Sequence, residues 1–309
     1  MTNIYNPNIK KCYLKSSIVW AIVFLKSRTS IISTIFFSRN NTARSTLLLT
    51  SSANQTYIQV LFTILIFISP GNSYADPPVL AVASNLIAPM KEIATAFKVE
   101  TGKSVKLSFG SSGSLSQQIL HGAPYELFIS ASEDHVDFLQ SHGASIQSYS
   151  KYIYGEIGFY VPNDSSFYNT KSLKSIINIL AFNFYGKIVI ANPNHAPYGV
   201  ASMQALQNAG IFSIEKNRII HAENVSQIVP YTLSGNVDMA IIPYSFITES
   251  DLLEGGKYFS IPEIWYDKII QCLVTFDDAS KTSLHFKDFL MSLSARNIMK
   301  KFGYNFVQG

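Results

Sequence analysis

Val79-Leu80-Ala81-Val82-Ala83-Ser84-Asn85 begins with five apolar residues and ends on two short polar ones. An apolar run without alternation fits a strand buried on both faces. Leu86, Met90, Ile93 and Phe97 then recur at helical spacing up to Thr101-Gly102, where glycine supplies the stop, and Val105 to Phe109 returns as a strand. Strand, helix and strand in this order form a βαβ unit, so the chain reads as α/β with a largely parallel sheet.

Moving outward, Ser114 to His121 predicts a short helix closed by Gly122, Glu126 to Ser130 a third strand, and Glu133 to His142 a helix ended by Gly143. A second series starts near Ile157. Its strands are expected at 157–161, 187–191, near Ile219 and at 238–242, and its helices at 171–180, 199–209 and 225–233. Two similar α/β halves follow. The strand 269–276 and a final helix 283–302 have no place in the second half, so the chain is expected to cross back and pack its C-terminus on the first. Two such halves leave a cleft at the carboxyl ends of their strands, where binding is expected by default.

Charge divides the chain differently. All 20 acidic residues lie from Asp76 onward, whereas seven of the 24 Lys and Arg precede it, so residues 1–75 carry +7 and residues 76–309 carry 17 − 20 = −3. The part long enough to fold lacks the basic stripe that nucleic acid requires. Residues 1–75 read as a leader with a signal peptide. Its apolar h-region spans about 58–68, roughly half of what a membrane-crossing helix needs, and Ser73-Tyr74-Ala75 places small residues for cleavage after Ala75. A mature chain starting at Asp76 is then exported to the periplasm. Residues 1 to about 50 exceed what a signal requires; a mis-assigned upstream start and a true extension are both compatible with them. Cys12 falls in the leader, which leaves Cys272 alone in an apolar run, a buried thiol without a disulfide partner.

Four loops share one design: a strand end, small polar residues, and a helix start. They are Ala83-Ser84-Asn85, Gly110-Ser111-Ser112-Gly113, His195-Ala196-Pro197-Tyr198-Gly199 and Glu223-Asn224-Val225-Ser226. Helix N-termini expose unpaired N–H groups at the positive end of the helix dipole, so four of them around one cleft make an anion site. None of the four carries Lys or Arg, which suits a small oxyanion of fixed shape better than a varied anionic ligand. Taken singly, each is also an ordinary cap or turn. Gly110 to Gly113 is one residue short of the Gly-x-Ser-x-Gly elbow, and no histidine lies in either serine loop, so a serine hydrolase using Ser112 is the weaker alternative. The six histidines show no zinc spacing, and no metal-cation site is expected. His195, beside the third loop, is a candidate to position Tyr198.

These residues resemble a known family. Ala81 to Asn85 with Ala88-Pro89-Met90, Ser108 to Gly113, Gly122 to Ala131, Asn192-Pro193 and Ala196 to Gly199 are similar, in order and spacing, to the periplasmic molybdate-binding proteins of ABC importers. The resemblance implies a two-lobed periplasmic binding protein of type II, each lobe a mostly parallel sheet flanked by helices, with the ligand in the interlobe cleft. Lobe 1 would comprise 76–157 and about 270–309, and lobe 2 about 158–269. It implies molybdate, and with it tungstate, held only by hydrogen bonds from Ser84, Asn85, Ser111, Ser112, Tyr198 and Val225, the last two through the backbone. It also implies no cofactor, no catalysis, a monomer, and delivery to a permease with its ATPase. Better-known members carry a small residue at the place of Tyr198 and a tyrosine near the place of Pro243. Here Tyr198 matches a subgroup whose third-loop tyrosine reaches the ligand. Sulfate and phosphate remain alternative ligands, since about seven charge-assisted bonds of roughly 1.5–3 kcal/mol each suffice for any such ion and only fixed donor spacing selects by size.

Overall fold

The computed structural model describes residues 31–37, 43–49, 76–211, 216–248 and 250–307. Two strands, β1 (Ile31–Phe37) and β2 (Ala43–Leu49), pair antiparallel in a unit separate from the rest of the chain. The h-region at 58–68 and the cleavage site after Ala75 lie outside the described residues. Among the described residues no helix is long and apolar enough to cross a membrane.

From Ala75 onward the chain forms one unit built on two sheets. The first contains β3 (Val79–Ala83), β4 (Lys106–Gly110), β5 (Tyr125–Ser130), β6 (Ile146–Gly155), β12 (Ile269–Phe276) and β13 (Asn305–Phe306) in the order β13-β6-β12-β5-β3-β4. The second contains β7 (Ile157–Pro162), β8 (Ile188–Ala191), β9 (Ile219–Ala222), β10 (Met239–Pro243) and β11 (Gly256–Ser260) in the order β11-β7-β10-β8-β9. In each sheet three parallel strands are joined by antiparallel ones: β12 runs against β5 and β6, and β7 against β10 and β11. The sheets are therefore mixed, where apolar runs alone predict mostly parallel ones.

Alternation on the first sheet feeds two cores. Leu80, Val82, Leu127, Ile129 and Leu273 face α1 (Ile87–Thr101), α8 (Lys281–Leu290) and α9 (Leu293–Lys301), packing with Ile93, Phe97, Phe286 and Met299. Ala81, Phe128, Cys272 and Val274 face the opposite way, toward α2 (Ser112–Leu120) and α3 (Asp134–Ser141), meeting Leu115, Val136 and Leu139. Burying each large apolar side chain contributes roughly 1.5–3 kcal/mol, and these strands bury them on both faces. Cys272 is wholly buried, and burial pushes its thiol up to about 12. The second sheet is packed by α4 (Leu173–Asn178), α5 (Pro197–Asn208), α6 (Val225–Leu233) and α7 (Ser250–Gly255) around a third core centred on Phe159, Ile188, Ile190, Ile228 and Ile242.

The expected final helix 283–302 is two helices. α8 ends at Leu290, and Ser292 starts α9 afresh by accepting the Ala295 N–H at 3.2 Å. β6 is a ten-residue strand that period reading does not predict, because Gln147 to Lys151 are exposed and polar. Where β6 leaves the first sheet and β12 enters it, Gly155 and Ile269 are paired, so the two passages between the sheets run side by side.

Candidate functional site

Register brings the four loops together in pairs. β3 and β4 are parallel with Ala83 opposite Gly110, so the loops that follow them leave the first sheet at the same level. β8 and β9 are parallel with Ala191 opposite Ala222, and the third and fourth loops leave the second sheet likewise. Each loop runs into a helical turn for a local reason. Ser111, with extended backbone, caps α2 by accepting the Ser114 N–H at 3.2 Å. Asn224 caps α6 by accepting the Ser226 and Gln227 N–H groups at 3.0 and 3.3 Å. Pro197 occupies the first position of α5, where its missing N–H costs nothing and its φ is already helical. Ser84 to Leu86 form a single 3-10 turn before α1.

Caps and turns satisfy only part of each first turn. Among the described residues, the N–H groups of Ser112, Tyr198 and Val225 have no such partner. They meet at one small cavity of about 10 Å³ between the two sheets' loops. Ser84, Asn85, Ser111, Ser112, Tyr198 and Val225 all line it, with Ala83, Gly110, Ala131, Ala196 and Pro197 completing the wall. The lining holds no Lys, Arg, His, Asp or Glu. Its one titratable group is Tyr198, whose hydroxyl is driven well above 10 by burial first and by neighbouring Tyr304 next, and so stays neutral. Unpaired N–H groups and hydroxyls in a buried, uncharged wall can hold an anion by direction alone.

The side chains divide their duties. Ser112 Oγ accepts the Ala131 N–H at 2.9 Å, which fixes its position and leaves its own proton for the cavity. Ser111 Oγ donates instead to Ser114 Oγ at 2.8 Å, and Ser114 Oγ donates to Glu223 Oε1 at 3.1 Å. The Asn85 carboxamide turns away from the cavity. Its Nδ2 donates to Tyr304 Oη at 2.9 Å, Gln271 Oε1 at 3.1 Å and Tyr198 Oη at 3.3 Å, while its main-chain oxygen accepts from Tyr304 Oη at 2.8 Å and Ser245 Oγ at 3.2 Å. Gln271 Nε2 also donates to Tyr198 Oη, at 3.4 Å. A Cβ at Gly155 would overlap the Tyr198 hydroxyl, so glycine there makes room for it. This buried polar knot ties β12, the C-terminal Tyr304 and the first loop to Tyr198 and Ser245 of the second sheet's layer.

His195 Nε2 is 3.2 Å from Glu223 Oε2, and the His195 main-chain oxygen accepts the Gly113 N–H at 2.9 Å. Tyr244 is 38% exposed, its ring against Tyr258, and is absent from the cavity wall. A larger hollow of about 340 Å³ adjoins the cavity through Ala131, Ala196 and Pro197. The carboxylates of Glu133, Asp134 and Asp267 line it, and burial lowers the pKa of His135 there. With three carboxylates against the one lysine of its lining, Lys268, the hollow would repel a dianion, so size does not make it the anion site. No group of three or more His, Cys, Asp or Glu fit for a metal ion occurs among the described residues.

Residues 78–305 match the family of bacterial extracellular solute-binding proteins. The chain belongs to that family. Among relatives of this solute-binding protein is the molybdate-binding protein ModA of Azotobacter vinelandii, 28% identical over 228 residues that cover 73% of this chain and 88% of the relative. The ModA of Rhodobacter capsulatus is 29% identical over 237 residues, covering 74% and 88%. The solved periplasmic molybdate-binding protein of Azotobacter vinelandii superposes with a TM-score of 0.67 at 27% identity, covering 75% of this chain and all of that one. The sulfate-binding protein SubI of Mycobacterium tuberculosis, at 14% identity and a TM-score of 0.60, shares the fold. The two-lobed architecture and the resemblance carried by the loop motifs both stand on these matches. Sequence reasoning missed Gln271, Ser245 and Tyr304, which sit far along the chain on elements without a polar signature.

Proposed function

We propose that this solute-binding protein captures molybdate, and with it tungstate, in the periplasm and hands it to the permease and ATPase of an ABC importer, acting as a monomer and not as an enzyme. One observation carries the reading: three partnerless helix N–H groups and the Ser112 hydroxyl converge on a buried cavity that contains no charged side chain. Ser84, Asn85, Ser111, Ser112, Tyr198 and Val225 form the binding wall. Within it Ser112 offers its hydroxyl, and Ser112, Tyr198 and Val225 offer backbone N–H groups. Residues 76–157 with about 270–309 form lobe 1, about 158–269 form lobe 2, and the paired passages at Gly155 and Ile269 form the hinge. Residues 1–75 act as the leader, cut after Ala75. The named molybdate-binding relatives support this ligand over sulfate and phosphate, and the donor chemistry admits all of them. A pocket of fixed donors leaves the smaller sulfate overstretched and does not separate molybdate from tungstate. The hydrolase alternative is poorly supported, since the partner of Ser112 Oγ is the Ala131 amide N–H, which cannot act as a base.

Calorimetry of the exported protein with molybdate, tungstate, sulfate and phosphate, all in EDTA, tests the reading. One molybdate per chain, far tighter than sulfate and indifferent to chelation, is expected. Equal affinity for sulfate, or loss of binding on chelation, would refute it.

A further inference from the structure

We infer that Gly113 is the residue that permits the cleft to close, and that Ser114 and Glu223 complete the same contact as a latch. The inference rests on the proposed reading of the chain as a binding protein that closes on its ligand. Gly113 is the second residue of α2 and is absent from the glycines with positive φ, so its own backbone makes no demand for glycine. Alanine is the better helix former. The reason for glycine lies across the cleft. A Cβ at position 113 would stand 2.7 Å from the Cβ, 2.9 Å from the Cα and 2.9 Å from the main-chain oxygen of His195. These atoms are at or next to the backbone, so no flexible side-chain end can swing clear.

Without the Cβ, the contact becomes a bond: the Gly113 N–H donates to the His195 oxygen at 2.9 Å, joining the second loop to the third. One residue on, Ser114 Oγ donates to Glu223 Oε1 at 3.1 Å, joining the second loop to the fourth. Glu223 Oε2 lies 3.2 Å from His195 Nε2, which closes the ring on the second sheet's side. None of Gly113, Ser114, His195 and Glu223 lines the cavity, yet Gly113 and His195 directly adjoin lining residues and Ser114 and Glu223 lie two residues from one. The latch therefore sits at the rim, and displacing His195 would carry Ala196, Pro197 and Tyr198 away from the first lobe's donors. The knot of Asn85, Gln271 and Tyr198 braces the closed state from behind, independently of this rim contact.

The test compares the parent with Gly113→Ala and Ser114→Ala by ligand-free melting, molybdate titration, stopped-flow dissociation and small-angle scattering with and without saturating molybdate. Gly113→Ala is expected to melt no lower than the parent without ligand, to bind molybdate at least tenfold more weakly through faster dissociation, and to keep its ligand-free radius when saturated. Ser114→Ala, which loses the bond to Glu223 and the acceptor of the Ser111 hydroxyl, is expected to dissociate two- to tenfold faster. Gly113→Ala binding within threefold of the parent would overturn the inference, as would a ligand-free melting temperature that falls with the affinity. Should the parent bind none of the four oxyanions, the ligand reading fails alone. The latch is then decided by ligand-free scattering, where a larger radius for Gly113→Ala than for the parent supports it and an equal one overturns it.

Discussion

Replacing Ser112 by alanine perturbs two processes that the structure keeps apart. The hydroxyl is free to donate into the cavity that Ser112 lines, so on the proposed reading its removal deletes one hydrogen bond to a charged ligand, worth about 1.5–3 kcal/mol, or roughly 10- to 150-fold in Kd. The hydroxyl oxygen accepts the Ala131 N–H at 2.9 Å, so the same change also orphans a main-chain donor. Such orphans cost about 1–3 kcal/mol. Ala131 borders the cavity, where water replaces the lost acceptor in the ligand-free protein, and this places the cost near 1 kcal/mol, or about 2–4 °C in melting temperature for a unit of this size. Titration calorimetry and ligand-free melting curves measure the two separately. Parental molybdate affinity in Ser112→Ala would refute the role of the hydroxyl, and a parental melting temperature would refute the Ala131 bond.

Other consequences are open to the same assays. Tyr198→Phe keeps the backbone N–H at the cavity but removes the acceptor of two long bonds from Asn85 and Gln271. Because those partners belong to the first sheet's layer, the loss falls on the contact between the layers, and molybdate binding should weaken by about 1 kcal/mol, roughly fivefold, with ligand-free melting unchanged; an unaltered affinity would show that the hydroxyl adds nothing. Burial raises the hydroxyls of Tyr160 and Tyr266 to about 12 from an ordinary 10. The folded state thus favours their neutral forms, and the stability this contributes is whole below pH 10 and lost as pH climbs toward 12. Melting temperature should accordingly stay flat with respect to these groups up to about pH 9 and fall steeply above 10, and a flat profile to pH 12 would contradict it.

The fold was legible where burial and period agree. Helix 225–233 and strand 269–276 lie where the apolar spacing puts them, because both bury a continuous face. The reading failed where tertiary pairing overrides composition. β6 takes a solvated segment, Ile146 to Ser150, as a strand because β12 supplies its ladder, and β11 begins on a glycine that leaves room for the Tyr160 ring. The cavity wall was legible because capping chemistry is local: Ser111 and Asn224 announce their helices within three residues. Its support was not, since Asn85 meets Gln271 across 186 residues and Tyr304 across 219, distances over which no periodicity carries information. His195 shows the same limit, for it meets Gly113 through its main-chain oxygen, a contact that its imidazole does not advertise.

The placement of β12 between β5 and β6 has a consequence for how the chain assembles as it emerges. The second sheet, β7 to β11, is drawn from one uninterrupted stretch and can form once residue 260 is available. The first cannot. Until β12 arrives, β5 presents an open, wholly apolar edge, Leu127 to Ile129, of the kind that recruits other strands. The first half made is therefore the last half finished, and the burden of keeping it from aggregating falls on the interval between synthesis of Ser130 and that of Phe276, a span that chaperones or an unfolded export route would have to cover.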